Sequence, residues 1–306
     1  MTAPDGRPLL LLVGGGGGLV GRSVLAEFAQ DWAIRSVHRH PVPEEKRRGV
    51  EWIGEDAGLV AEWDPLLDGI DVVLTLAWYR PGRDRRFAPL TQGLLRLLDA
   101  ARRKGTPRFA HLSVPDAPAD LEENLPYLAL RRRFDLALEK SGISHVMVRP
   151  TMLFGPGDRL LTVMLRQMRR YRMFPLFGDG EYHVSPLAVR DLARILRAEI
   201  GRPGSRNVLA GGPRRWRYRD LTDRMFEALG QRPRYWHLSP RNSVRLASAI
   251  EHVGSSLLYK YEVEWLLSDM LGLPPYAGLD PPLADVEPFI EAEGARMRGQ
   301  GAPASS

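Results

Sequence analysis

The chain has no cysteine, which excludes disulfides, thiolate catalysis and cysteine-ligated metal. It has no apolar run of membrane length. The opening Met1–Gly6 is polar, and the apolar stretch Leu9–Val13 is far too short for a signal segment or a bilayer span. Between Asp31 and Glu44 it has no acidic residue. No histidines or carboxylates stand at metal-ligand spacing, and no internal repeat is present, so no metal site is expected. These absences lead us to expect a soluble, cytoplasmic protein without a transmembrane segment. A formal net charge of +6 invites a nucleic-acid reading. The arginines, however, are scattered over many predicted helices and make no stripe interleaved with aromatics. The charge suits anionic small molecules or lipid surfaces better than nucleic acid.

The chain does have glycine, concentrated where it matters. Leu9–Val13 runs directly into five consecutive glycines, Gly14 to Gly18, followed by Leu19-Val20-Gly21-Arg22. A buried strand that breaks into glycines and resumes as a helix builds a pyrophosphate cradle. Glycines permit positive φ and close backbone approach, and the helix beginning at Leu19 and Val20 offers unpaired N–H groups to an anion. Gly15, Gly18 and Gly21 have the GxxGxxG spacing that this context requires.

Beyond the glycines, strand and helix signals alternate, the pattern of a parallel sheet with crossover helices. Strands are predicted at Leu9–Val13, Ala33–Val37, Val50–Ile53, Asp71–Ala77, Phe109–Ser113 and Ser144–Val148. Leu90, Leu94, Leu97, Leu98 and Ala101 mark the clearest helix, and Tyr127–Lys140 another. After Pro150 the pattern loosens into helices at Leu160–Arg172, Val189–Ile200, Tyr218–Leu229 and Glu262–Leu271. A short strand is predicted at Asn207–Ala210 and a loop over Phe174–Gly180. The expected fold is α/β, a doubly wound parallel sheet over 1–155 and 183–212. A smaller, mostly helical cap would be drawn from 156–182 and 213–293, and the tail 294–306 is expected to be disordered.

The absence of an acid after the second predicted strand decides the expected nucleotide. An acidic side chain there would meet a free ribose 2′-hydroxyl. The chain instead offers Arg35, His38, Arg39 and His40, which suit a 2′-phosphate because arginine pairs bidentately with phosphate. NADP is therefore expected in preference to NAD.

The succession GGGGGLVGR, SVHRHP, GEDAG, DVVLTLAW, RFAHLS, YLALR and RPTMLFGPGDR resembles the extended and atypical short-chain dehydrogenase/reductase superfamily. Within it, the chain resembles NAD(P)-dependent epimerase/dehydratase-like and NmrA-like members, in order from about Leu9 to Asp191. The resemblance implies a Rossmann-type fold and a role for several residues. Asp56 would contact the adenine, Leu76 and Ala77 would line the cofactor, and Pro150 and Thr151 would form the turn near the nicotinamide. Ser113 would orient a carbonyl or hydroxyl, and Tyr127 would be the general acid/base. A phenol needs a cation one helical turn away to serve near neutral pH, and at that position stands Arg131 in place of the family's lysine. Trp78 and Tyr79 replace small residues after the fourth strand.

Three readings of function follow. One is an NADP-dependent oxidoreductase or epimerase-like enzyme that uses Ser113, Tyr127 and Arg131 on a small carbonyl or alcohol. Another is a cofactor-holding module without turnover, because the stretch Tyr261 to Leu273 is similar to the tail of complex I 39-kDa-subunit-like proteins. A third is an NmrA-like redox sensor. Trp216, Tyr218, Tyr235, Trp236 and Trp265 suggest an apolar or ring-bearing ligand. Arg166, Arg169, Arg170, Arg172 and Phe174 form a basic–aromatic edge, read as the solvated face of a cap helix or as a surface for a membrane or an apolar anionic substrate, and association with a protein complex is the other partner expected.

Overall fold

The computed structural model describes residues 6–40, 49–77, 87–119, 121, 125–252 and 260–299; Trp78, Tyr79 and the last seven residues lie outside this set. The chain divides into two compact units, Met1–Pro150 with Val189–Leu209, and Thr151–Ala188 with Ala210–Ser306.

The first unit is built on strands β1 (Leu9–Val13), β2 (Ala33–Val37), β3 (Val50–Ile53), β4 (Val72–Thr75), β5 (Arg108–Leu112), β6 (His145–Pro150) and β7 (Arg206–Ala210). They form one seven-stranded sheet in the order β7-β6-β5-β4-β1-β2-β3. Pairings from β3 through to β6 are parallel. The chain leaves β1 toward β2 and β3, then returns to the other side of β1 for β4. The carboxyl ends of β1 and β4 therefore flank the topological switch point where such sheets bind ligands.

Helices α1 (Leu19–Phe28), α2 (Phe87–Lys104), α3 (Pro126–Glu139) and α4 (Val189–Gly201) connect and cover the strands. Alternation along the strands gives each face its own core. Leu11, Val13, Val73, Phe109 and Met147 share one cluster with Leu90, Leu94 and Leu97 of α2 and Phe134 and Leu138 of α3. Their neighbours Leu10, Leu12, Leu74, Ala110 and Val146 are also wholly buried, so β1, β4, β5 and β6 are buried on both faces, as the centre of a covered parallel sheet requires. On the helices, α1 packs against α4 and α2 against α3. The last turn of α2 carries Arg102, Arg103 and Lys104, which complement the helix dipole.

The second unit has its own core, in which Leu161, Leu165 and Met168 of the helix Leu160–Tyr171 meet Leu221 and Phe226 of Tyr218–Ala228 and Ile290 of Glu287–Gly299. Here several expectations are corrected. The unit is helical but also holds three two-stranded pairs. The predicted loop at 174–180 begins as the strand Phe174–Phe177, paired in parallel with Tyr235–Leu238. Phe174 is buried in the core, not part of a basic edge. Residues 294–299 are not a disordered tail: they complete a helix, because Gly294 allows close approach to Ala228, whose carbonyl oxygen lies 2.5 Å from where a Cβ would stand. The helix Pro240–His252 is absent from the sequence expectation. Residues 151–155, 183–188 and 210–212 group with this unit and not with the sheet.

Candidate functional site

The glycine loop is shaped by contacts that leave no room for side chains. Gly14 and Gly15 adopt φ of +80° and +77°. A Cβ on Gly14 would stand 2.5 Å from Ala77 Cα, one on Gly15 3.1 Å from the Leu76 side chain, and one on Gly21 1.1 Å from the Gly15 carbonyl oxygen. Gly16 faces the Trp52 ring, 2.5 Å from a hypothetical Cβ. Gly18 differs from these. It is the N-cap of α1 at φ −80°, with nothing within 4 Å of a Cβ. The protein's own contacts exclude a side chain at Gly14, Gly15, Gly16 and Gly21, while the space around Gly18 is open toward the cradle side of the helix N-terminus. The spacing rule missed Gly14 because its constraint comes from a neighbouring strand.

Leu76 and Ala77, both buried, are the residues that press on this loop. Helix α1 has no side-chain cap and no acid in its first turn, so the N–H groups around Leu19, Val20 and Gly21 meet no competing carboxylate from their own helix. A cradle filled by any Cβ and headed by uncapped N–H groups fits a dinucleotide pyrophosphate.

After β2, His38 donates its N–H to the Ile53 carbonyl at 3.0 Å, and its ring borders Gly16 and Gly17. Arg39 follows it, half-buried. Arg35, read from sequence as part of the basic group, is committed elsewhere. Its guanidinium bonds Glu51 at 2.7 Å and the Leu66 carbonyl at 2.9 Å. Asp56 accepts the Gly58 N–H at 2.9 Å, which shapes the turn beneath α2.

The sequence candidates Ser113, Tyr127 and Arg131 lie just past β5 and on α3. Strand alternation and register put Thr75, His111, Ser113 and Arg149 on one face, because Thr75 pairs with His111 and Leu112 with Val148. Across from them, α3 presents Tyr127, Arg131 and Asp135 at four-residue intervals. All seven side chains are buried.

Asp135 is the hub. It accepts the Ser113 hydroxyl at 2.6 Å, approaches His111 Nε2 at 3.4 Å and takes Arg149 Nη2 at 3.5 Å. His111 Nδ1 meets the Thr75 hydroxyl at 2.5 Å, and its ring stands edge-on to Phe134. Arg149 also bonds Asp116. The Arg131 guanidinium donates to the carbonyls of Leu112 and Ala77, bracing the ends of β4 and β5 against α3. Tyr127, in the first turn of α3, packs edge-on against Phe87 at 5.7 Å.

These surroundings set the charges. Burial, then the nearby Arg131 charge, lowers His111 to about 4 despite Asp135. At neutral pH it is a neutral imidazole that accepts from Thr75 and donates toward Asp135. Burial pushes Asp135 upward, but the His111 hydrogen bond, the Arg131 charge and the Ser113 hydroxyl outweigh it and hold the carboxyl below its ordinary value. Burial lowers Arg131 to about 10, which leaves it charged.

Sequence reasoning missed Asp135 and Arg149. The available signal was the continuation of the Tyr127–Arg131 interval to position 135 and the alternation Met147–Arg149 on β6. Thr151 falls in the second unit, where its hydroxyl donates to the Leu271 carbonyl at 2.6 Å; Pro150 closes β6. Among the described residues no group of histidines and carboxylates could hold a metal, and no helix is long and apolar enough to cross a membrane.

The family model described as NAD dependent epimerase/dehydratase family matches residues 11–207, a span that contains both the glycine loop and the Asp135 network. The chain belongs to this family. It is 28% identical over 261 residues to a ceramide reductase of Caulobacter vibrioides, covering 83% of this chain and 81% of that one. Over 92 residues it is 28% identical to NADH dehydrogenase [ubiquinone] 1 alpha subcomplex subunit 9, mitochondrial, of Arabidopsis thaliana, covering 29% and 23%. A nucleoside-diphosphate-sugar epimerase from Staphylococcus aureus shares the fold, with a TM-score of 0.72 and 17% identity over 92% of this chain and 99% of that one. A nicotinamide cofactor follows from the family, in keeping with the glycine cradle.

Proposed function

We propose that this protein is an NADP(H)-dependent oxidoreductase that reduces a carbonyl substrate, or oxidises the matching alcohol, with Tyr127 as the proton-transfer group. The observation that carries the reading is the Ser113–Asp135 bond at the end of β5, facing the helix that carries Tyr127 and Arg131. A bound nicotinamide supplies the hydride to the carbonyl carbon. Tyr127 gives its phenolic proton to the carbonyl oxygen, and the phenolate is re-protonated from solvent. Arg131 supplies the positive charge one turn away that favours the phenolate. Ser113, its own proton directed at Asp135, can accept a hydrogen bond from a hydroxyl of the substrate. His38 and Arg39 would hold the 2′-phosphate. The relative named a ceramide reductase makes ceramide-type substrates the first to try alongside small carbonyls. The test is NADPH consumption over such a panel. Tyr127→Phe should abolish turnover without loss of NADPH affinity, and unchanged turnover in that variant would refute the assignment.

A second reading is favoured by one observation. The Arg131 guanidinium is taken up by two main-chain carbonyls, a structural use, and part of the chain is similar to a complex I subunit. On this reading the protein holds the nucleotide without turnover. Nucleotide released on denaturing the purified protein, together with no substrate-dependent oxidation of NADPH, would favour it over the first.

A further inference from the structure

One surface of the second unit is unlike the rest of the chain. No acidic residue lies between Asp158 and Asp179 or between Glu227 and Glu251, yet nine arginines fall inside these two segments. The fold joins them edge to edge. Phe174 pairs with Tyr235 and Pro175 with Trp236, and the Phe174 N–H donates to the Arg234 carbonyl at 3.0 Å. Phe174, Leu176 and Phe177 enter the core, while Pro175 is half-buried beside Trp236. Met173 and Trp236 protrude, 47% and 56% exposed, near Tyr171 at 63%. Three of the five exposed large apolar side chains among the described residues are thus gathered at one edge.

Four arginines flank them. Arg170, Arg172, Arg232 and Arg234 are exposed, and among the described residues none of them pairs with a carboxylate. Three exposed arginines of the same unit do pair: Arg214 with Glu287 at 3.5 Å, Arg215 with Asp269 at 3.1 Å and Arg217 with Asp220 at 2.9 Å. Asp223, behind the strand pair, is occupied by the Tyr235 hydroxyl at 2.6 Å.

We propose that this face, with Tyr171, Met173 and Trp236 set among Arg170, Arg172 and Arg234, docks the protein onto an anionic lipid bilayer. Indole and phenol rings favour the headgroup boundary, the thioether enters the acyl region, and unpaired guanidinium groups bind lipid phosphates. Single-stranded nucleic acid fits less well, since stacking platforms use a series of successive rings. The inference does not depend on turnover.

Co-sedimentation of the full chain with vesicles of phosphatidylcholine alone, or mixed with phosphatidylglycerol, tests it. Binding is expected only to the anionic vesicles and should weaken with salt. Arg172→Glu combined with Arg234→Glu should weaken it by roughly tenfold or more, because each basic residue near the surface contributes about a factor of five. Trp236→Ala should weaken it in a salt-independent way. Thermal melting of these variants should match wild type, since none of the three side chains is buried. No binding to anionic vesicles, equal binding to neutral ones, unchanged binding by the double variant, or displacement by a single-stranded oligonucleotide would each overturn the proposal.

Discussion

The Ser113 hydroxyl donates to the Asp135 carboxylate across 2.6 Å, and both groups are shielded from solvent. The bond fixes the direction of the Ser113 proton, and Asp135 in turn answers the buried cation Arg149. Asp135→Asn removes the negative charge and leaves buried guanidinium groups short of a partner, so it should cost about 3 kcal/mol or more. Ser113→Ala removes only one hydrogen bond and should cost about 1 kcal/mol. Urea unfolding of both variants checks the order. Equal losses would mean that the charge on Asp135 is not what holds the network.

Stability should fall on mild acidification. His111 has a folded value of about 4 against an ordinary 6.5, so the unfolded chain binds the extra proton between these limits. Its contribution, about 3 kcal/mol, is present above pH 6.5 and is lost as pH falls toward 4. Asp135, held below its ordinary 3.8, adds a further loss at still lower pH. Thermal melting against pH should show this slope. His111→Gln should lower stability at neutral pH and flatten the slope between the same limits.

The glycine loop should tolerate substitution unevenly. Gly14→Ala brings a Cβ to 2.5 Å of Ala77 Cα at φ +80°, and Gly21→Ala collides with the Gly15 carbonyl. Both should lower the melting temperature and abolish cofactor binding. Gly18→Ala, with open space around its Cβ, should melt like wild type. Calorimetric scans and fluorescence titration with NADPH read both effects.

Arg35 and Arg39 should separate cleanly. Arg35→Ala breaks bonds to Glu51 and Leu66 and should cost about 1–2 kcal/mol of stability without altering cofactor choice. Arg39→Ala should weaken NADPH by roughly tenfold or more and leave NADH unchanged, as expected for loss of a charge-assisted phosphate contact. Equal affinity of wild type for the two cofactors would remove the case for a 2′-phosphate site.

The centre of the sheet was legible because β1, β4, β5 and β6 are short runs buried on both faces. Ala33–Val37 and Val50–Ile53 match at both ends. The second unit was less so, for local reasons. Pro175 and Gly178 gave Phe174–Phe177 the look of a loop, and only its pairing with Tyr235–Leu238 makes it a strand. Glu287–Gly299 has weak apolar periodicity and a glycine inside it, and its helix rests on close approach to Ala228. At the candidate site, Ser113, Tyr127 and Arg131 stood out through family resemblance. Asp135, His111 and Arg149 meet only when three strand ends and a helix are brought together, which spacing along a single element does not reveal.

The close approach of Gly14 to Ala77 has a consequence for engineering. The phosphate loop and the end of β4 form a mated pair, so the tolerance of position 77 is set by position 14 and not by its own exposure. Enlarging Ala77 to valine would press on the loop at Gly14, where the two residues are already in close approach. Graded substitution at 77 would then act as a dial on cofactor affinity, turned from outside the glycine motif.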